Sequence, residues 1–151
     1  LNQMPIATKG SKINISSKKK LKEFAHNLSI ELKQGDIFFL FGETGVGKTT
    51  FVKYLINNLQ HIAKNELTEV TSPTFNIMNE YNIGDLFIKH YDLYRLKSDN
   101  ELHELNLFDA NDNAILLIEW PHIIKKKPDL VTKLYFEYDN NYKDRFINIF
   151  N

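Results

Sequence analysis

The sequence contains no cysteine among its 151 residues. This absence excludes a disulfide framework and a thiol nucleophile, and it is compatible with a reducing cytosol. No apolar run approaches the ~20 residues of a membrane-spanning helix, and the first residues lack the apolar region of a secretory signal peptide. We therefore expect a cytoplasmic protein that does not contact a membrane.

The chain also lacks a net charge, because 19 lysine and arginine residues balance 19 aspartate and glutamate residues. No overall field attracts nucleic acid, so any contact with RNA must be local or pass through a partner. The length and the hydrophobic fraction of 42% are ordinary for one globular domain with a full core. We expect that domain over residues 12–151, after a loose lead-in over residues 1–11.

The stretch from Gly42 to Thr50, GETGVGKTT, fits the pattern G-x-x-x-x-G-K-[ST]. In such a loop the backbone N–H groups cradle phosphate oxygens, and the following helix adds its positive N-terminal dipole. Lys48 supplies a mobile charge for the outer phosphates, and the Thr49 hydroxyl is placed to ligate Mg²⁺. An apolar run at 37–41 precedes the loop and apolar residues at helical spacing follow it, which is the arrangement that a P-loop requires.

The rest of the chain alternates between strand-like and helix-like patterns. Helices are expected after Ser17, after the P-loop and from Ser98 or Asp99. Strands are expected at 12–16, 37–41, 75–81, 86–91, 114–118, 133–138 and 145–150. The run at 114–118 is fully apolar, as in a buried parallel strand, and 75–81 should pair with 86–91 as a hairpin. These patterns predict an α/β protein with a single-domain P-loop NTPase fold, a mixed sheet flanked by helices.

Hydrolysis at a P-loop needs a second acidic group on a neighbouring strand. Glu119 directly follows the buried strand 114–118, and ligands of open α/β sheets bind at the carboxyl ends of the strands. Glu119 is therefore a candidate catalytic residue that holds Mg²⁺ directly or through water. The alternative is a carboxylate that only caps the next turn.

Asp92 also follows a strand, within the run HYDLYR at 90–95. A carboxylate there could orient the attacking water or support the metal from outside its ligand shell. Arg95 could stabilise charge in the transition state, or it could form an internal ion pair with Asp92, and both alternatives stay open. We interpret His90 as structural.

Hydroxyl groups at Thr71, Ser72 and Thr74 surround Pro73, between the P-loop helix and the next strand. Such hydroxyls can sense the terminal phosphate or Mg²⁺ through a mobile segment, although an ordinary turn explains them as well. The N-K-x-D pattern of guanine specificity is missing from the sequence, which favours ATP over GTP. Lys18, at a strand-to-helix junction, is the candidate contact for the adenine.

Four motifs occur together in this order: the P-loop, SPTF at 72–75, DLYRL at 92–96 and LIEWP at 117–121. With them the chain resembles, over nearly its whole length, the TsaE family of small bacterial P-loop ATPases. These ATPases are needed to form threonylcarbamoyladenosine (t6A) on tRNA. The P-loop departs from the usual family pattern, since Thr44-Gly45-Val46 stands where Leu-Gly-Ala is common, but the glycines are kept.

The resemblance implies a set of residue roles. Thr49 and Glu119 would hold Mg²⁺, Asp92 and Trp120 would have functional roles, and Ser72–Thr74 would form a switch-like loop. The nucleotide, ATP or ADP, would be bound by Gly42, Glu43, Thr44, Gly45, Val46, Gly47, Lys48, Thr49 and Thr50. The implied partners are the TsaD and TsaB proteins, with tRNA reached indirectly through the complex, which ATP hydrolysis would reset between cycles.

Two other classes of protein use a P-loop in a chain of this size. A nucleoside or small-molecule kinase is the main alternative, but its lid needs arginines over the phosphates, and the sequence has only Arg95 and Arg145. A nucleotide-binding switch without meaningful turnover is the other alternative. Turnover with and without partners distinguishes that switch from an ATPase.

Overall fold

From a computed structural model of the protein we describe residues 11–109, 112–139 and 141–151. Its helices are α1 (Lys18–Glu31), α2 (Lys48–Ile62) and α3 (Asp99–Leu105), and a short 3-10 turn spans Pro121–Ile123. Its strands are β1 (Ser11–Asn14), β2 (Ile37–Phe41), β3 (Met78–Ile83), β4 (Leu86–Asp92), β5 (Ile115–Glu119), β6 (Thr132–Tyr138) and β7 (Arg145–Phe150). The lead-in expected at 1–11 lies outside the described residues, except for Ser11, where β1 begins.

The strands form one seven-stranded sheet in the order β1-β7-β6-β2-β5-β4-β3. At its centre β2 pairs in parallel with β5 and β6, and β5 pairs in parallel with β4. The outer strands β3, β7 and β1 pair antiparallel with their neighbours. The predicted mixed sheet is therefore confirmed, with the most apolar strands, β2 and β5, covered on both faces.

Side chains that alternate along β2 enter two separate cores. Phe38 and Leu40 pack with helices α1 and α2 on one face of the sheet. Phe39 faces the other side of the sheet, where it packs in a core with residues of α3 and of the loops around α3. Among the described residues, none of the helices is both long enough and apolar enough to cross a membrane.

The predicted start of the first hairpin strand near Phe75 is wrong, because β3 begins only at Met78. The N–H of Ile77 donates to the Pro73 carbonyl at 2.7 Å, and Ile77 has a φ angle of 67° in the left-handed region. These residues therefore form a turn, which leaves Phe75 86% exposed. The hairpin itself is confirmed, with its turn at Gly84.

The other boundaries agree closely with the sequence patterns. Ser17 caps α1 as expected, since its side chain accepts a hydrogen bond from the N–H of Lys20 at 3.1 Å. The first strand ends at Asn14 instead of residue 16, and the chain turns there towards the helix cap. The parallel register sets Asp92 of β4 opposite Glu119 of β5, and Leu40 of β2 opposite the same glutamate. The carboxyl ends of three adjacent strands thus meet beside the P-loop.

Candidate functional site

The P-loop connects β2 to α2 and depends on its glycines. Gly42 has a φ angle of 147°, and a Cβ atom there would lie 2.8 Å from the Phe136 carbonyl oxygen and from Cγ1 of Val46. Gly47 adopts the left-handed region with a φ angle of 119° directly before α2. A side chain at either position would strain the turn, because L residues rarely adopt these angles.

Residues of β6 and β7 support the loop from behind. The Tyr138 hydroxyl donates to the Gly45 carbonyl at 3.1 Å, and Nη1 of Arg145 donates to the Val46 carbonyl at 3.4 Å. The second guanidinium nitrogen of Arg145 donates to the Ser16 carbonyl at 3.4 Å. Arg145 therefore joins the P-loop to the segment before α1.

A cavity of about 380 Å³ opens between the P-loop and the carboxyl ends of β4 and β5. The P-loop side of its lining consists of Thr44, Gly45, Gly47, Lys48, Thr49 and Thr50. The opposite side consists of Ser72, Thr74, Asp92, Tyr94, Glu119 and Trp120. The structure thus brings the predicted catalytic and metal-binding residues together around one space.

Three residues of the predicted nucleotide set do not line this cavity. The Val46 side chain is buried in the core, Gly42 packs against Phe136, and Glu43 is exposed to solvent. Contact between the backbone of these three residues and a nucleotide stays a prediction.

Lys48 is the one cationic side chain in the described lining of the cavity, and it is only 4% exposed. Its ammonium donates to the Gly42 carbonyl and lies 3.7 Å from the centre of the Trp120 ring. Burial lowers the pKa of Lys48, while the charges of Glu119 and Asp92 act in the opposite direction. An anionic ligand in the cavity would give this partly desolvated ammonium a direct counter-charge.

Glu119 ends β5 with only 2% of its surface exposed. The Thr49 hydroxyl lies 3.2 Å from both carboxylate oxygens, and Nε2 of His90 lies 2.6 Å from Oε2. Because an ionised carboxylate only accepts hydrogen bonds, the hydroxyl and the imidazole N–H both donate to it. These two donors orient the carboxylate towards the P-loop threonine.

The contact between His90 and Glu119 was not predicted from the sequence, which indicated only a structural role for His90. The imidazole is fully buried, and its Nδ1 atom has no hydrogen-bond partner within the described ranges. Alternation along β4 sets His90 and Asp92 on the same face, which is the signal that could have linked His90 to the site.

Asp92 is 6% exposed, and both of its oxygens are engaged. The Ser72 hydroxyl donates to Oδ2 at 2.7 Å, and the N–H of Tyr94 donates to Oδ1 at 3.0 Å. Thr74 in turn donates to Ser72 at 3.1 Å. The hydroxyl loop is thus hydrogen-bonded directly to the carboxylate, whereas Thr71 does not line the cavity.

Two predicted residues lie elsewhere. The guanidinium of Arg95 lies 5.0 Å from the centre of the Phe75 ring, and no ion pair joins it to Asp92 in the part of the chain described. Lys18 lines a different surface groove, between α1 and α2. The structure therefore does not bring either cation into the cavity.

The donor set fits a magnesium ion that is shared with a nucleotide. Thr49 and Glu119 offer hard oxygen ligands, which Mg²⁺ prefers. Over residues 11–109, 112–139 and 141–151, no group of three His, Cys, Asp or Glu side chains is arranged to hold a metal. Mg²⁺ typically binds one or two carboxylates together with substrate phosphates and water, so a site with few protein ligands suits it.

Comparison with known proteins agrees with this geometry. A family model described as threonylcarbamoyl adenosine biosynthesis protein TsaE matches residues 15–147. A Rickettsia prowazekii protein named tRNA threonylcarbamoyladenosine biosynthesis protein TsaE is 40% identical over 129 residues, covering 84% of this chain and 87% of that protein. A protein of the same name from Bacillus subtilis is 38% identical over 97 residues, covering 63% of this chain and 56% of that protein.

A solved structure shows the same similarity in three dimensions. The crystal structure of Bacillus subtilis YdiB aligns with a TM-score of 0.70 and 26% identity, covering 93% of this chain and 84% of that one. The fold and the P-loop arrangement agree with the family match, which spans most of the sequence. The chain therefore belongs to the TsaE family.

Proposed function

We propose that the protein is the ATP-hydrolysing component of the machinery that forms t6A on tRNA, and that ATP hydrolysis resets this machinery between cycles. The observation that carries the proposal is the cavity where the P-loop meets Glu119 and Asp92, in a chain of the TsaE family. Relatives bear the name tRNA threonylcarbamoyladenosine biosynthesis protein. Work on tRNA also favours a location in the cytoplasm.

The contacts of the cavity residues suggest a separate role for each of them. Lys48 and the N-terminus of α2 bind the phosphates of ATP, and Thr49 with Glu119 binds Mg²⁺. The bound ion would neutralise the charge that develops on the phosphates. Asp92, held by Ser72 and the Tyr94 backbone, is placed to orient the attacking water.

The cavity has few cations for a fast ATPase. Lys48 is the sole cationic side chain among the described residues that line it, and Arg95 and Arg145 are engaged elsewhere. A P-loop enzyme without a well-placed arginine turns over slowly, and an arginine supplied in trans can raise the rate by ~10³–10⁵. We therefore propose that TsaD and TsaB complete the site, and that tRNA is reached through them.

The test adds a TsaD–TsaB complex to the purified protein. ATP turnover should rise at least about tenfold, because the partner supplies stabilisation that this chain lacks. Synthesis of t6A beyond one turnover should depend on the protein, as measured by nucleoside chromatography. If neither rate responds while a small metabolite is phosphorylated, the protein is a kinase and the proposal is wrong.

Trp120 provides an optical prediction for nucleotide binding. Its ring lies 3.7 Å from the Lys48 ammonium and 4.8 Å from the Tyr94 ring, and it is the single tryptophan of the chain. Phosphates that draw Lys48 away from the ring should change the emission of Trp120, and more strongly with Mg²⁺ than with chelator. An emission spectrum that saturating ATP and Mg²⁺ leave unchanged would contradict a site at this tryptophan.

A further inference from the structure

Helices α1 and α2 form the walls of an open groove of about 1110 Å³, separate from the phosphate cavity. The helices run in the same direction. Near their starts the Lys22 ammonium lies 5.2 Å from the centre of the Tyr54 ring, and one turn later Nδ1 of His26 lies 3.3 Å from Oδ1 of Asn58. We call this feature the helix groove. On α2 its lining runs from Lys53, in the second turn, to His61 near the C-terminal end.

The groove is lined by two facing rows of side chains. Lys18, Lys22 and His26 recur every four residues along α1, and Lys53, Asn57 and His61 do so along α2. Residues four apart lie on one side of a helix, about 6 Å apart along its axis. Each row therefore presents cations and polar groups at a spacing close to that of successive phosphates in a nucleic-acid strand.

The charge of the groove is local, because the chain as a whole has a net charge of zero. Its lining contains four lysines, including Lys19, against a single carboxylate, Glu23. In the described part of the chain, none of these lysines forms an ion pair. Lysines in the first turn of α1 also oppose the helix dipole, so helix stability does not explain them.

We infer that the helix groove binds the phosphate backbone of an RNA strand. Lysines supply the electrostatic attraction, and histidine, tyrosine and asparagine side chains offer rings and hydrogen bonds of the kind that RNA uses. Anchors of protein–protein interfaces are enriched in Trp, Tyr and Arg, and Tyr54 is the one side chain of these types in the described lining, which is richer in lysine. This inference adds direct RNA contact to the proposed function and does not depend on it.

Fluorescence anisotropy with a labelled single-stranded oligoribonucleotide and an unmodified tRNA transcript tests the inference. Three or four phosphate contacts predict a slope of log affinity against log salt of roughly −2 to −3, since each contact contributes about −0.7 with single strands. Affinity should thus fall roughly 20- to 50-fold from about 50 to about 200 mM salt. Absence of binding even at the lower salt would overturn the inference.

A triple variant distinguishes RNA binding by the groove from a response to the overall positive charge of the protein. Lys19→Ala, Lys22→Ala and Lys53→Ala together should weaken RNA binding at least about tenfold at low salt and flatten the slope by about 2. The control variant Lys126→Ala, Lys127→Ala and Lys143→Ala removes the same charge from other exposed positions and should bind like the original chain. All six lysines lie at the surface, so both variants should fold, which circular dichroism checks.

Two further results would overturn the inference. Equal losses in both variants would show that RNA responds only to total charge. A groove variant that binds RNA normally but no longer binds TsaD–TsaB would show that the groove binds an acidic surface of a protein partner and not RNA. If RNA binding follows the groove lysines while t6A synthesis does not depend on the protein, only the proposed function fails.

Discussion

Glu119→Gln should lower ATP turnover by about 10²–10³-fold, the usual cost of removing one well-placed electrostatic group from an active site. The amide keeps the size of the carboxylate, and its one oxygen, in the place of Oε2, can still accept from His90 and Thr49, whose donors lie 2.6 and 3.2 Å away. What it loses is the negative charge that Mg²⁺ would need. The measurement is steady-state phosphate release at saturating ATP and Mg²⁺.

Binding of ADP in the presence of chelator should be nearly unchanged in this variant, because the P-loop contacts remain. Glu80→Gln is the matched control, since Glu80 is an exposed carboxylate on the edge strand β3 and should leave turnover unaffected. Asp92→Asn should give a smaller loss than Glu119→Gln, as expected for a group that orients water. Full turnover in Glu119→Gln would mean that this carboxylate only caps the following turn.

Lys48→Ala should weaken the binding of ATP and ADP by roughly 30-fold or more, since truncating one partner of a buried charge pair costs about 2–5 kcal/mol. The reason lies in the charge balance of the cavity. Its described lining contains one lysine and two carboxylates, Asp92 and Glu119. Without Lys48 the two carboxylates would give the described lining a negative charge, which repels phosphates.

Isothermal titration calorimetry with each nucleotide measures this loss of affinity. Lys20→Ala is a suitable control, because Lys20 is exposed on α1 and lines neither the cavity nor the helix groove. A thermal melt should show that Lys48→Ala stays folded. The Lys48 ammonium is partly desolvated in the free chain, so removing it should cost little stability. Unchanged affinity in the folded variant would show that the P-loop does not bind the phosphates.

Local patterns in the sequence predicted most of the secondary structure. The final strands were predicted at 133–138 and 145–150 and are observed at Thr132–Tyr138 and Arg145–Phe150. The P-loop and the position of Glu119 after a buried strand were equally readable, because glycine spacing and apolar runs act over a few neighbouring residues. The start of β3 was missed because the turn around Pro73 depends on backbone geometry that alternating apolar residues do not reveal.

Tertiary structure alone decided which side chains share a site. Register between β4 and β5 brings His90 to Glu119, 29 positions away in the chain, and the antiparallel pairing of β7 with β6 brings Arg145 behind the P-loop. The position of Lys18 was likewise decided by tertiary structure, which places it in the helix groove and not in the phosphate cavity. The sequence by itself determined the elements and the P-loop, because these depend on local chain geometry. Pairings between distant residues depend on strand register and helix packing, which only the folded core imposes.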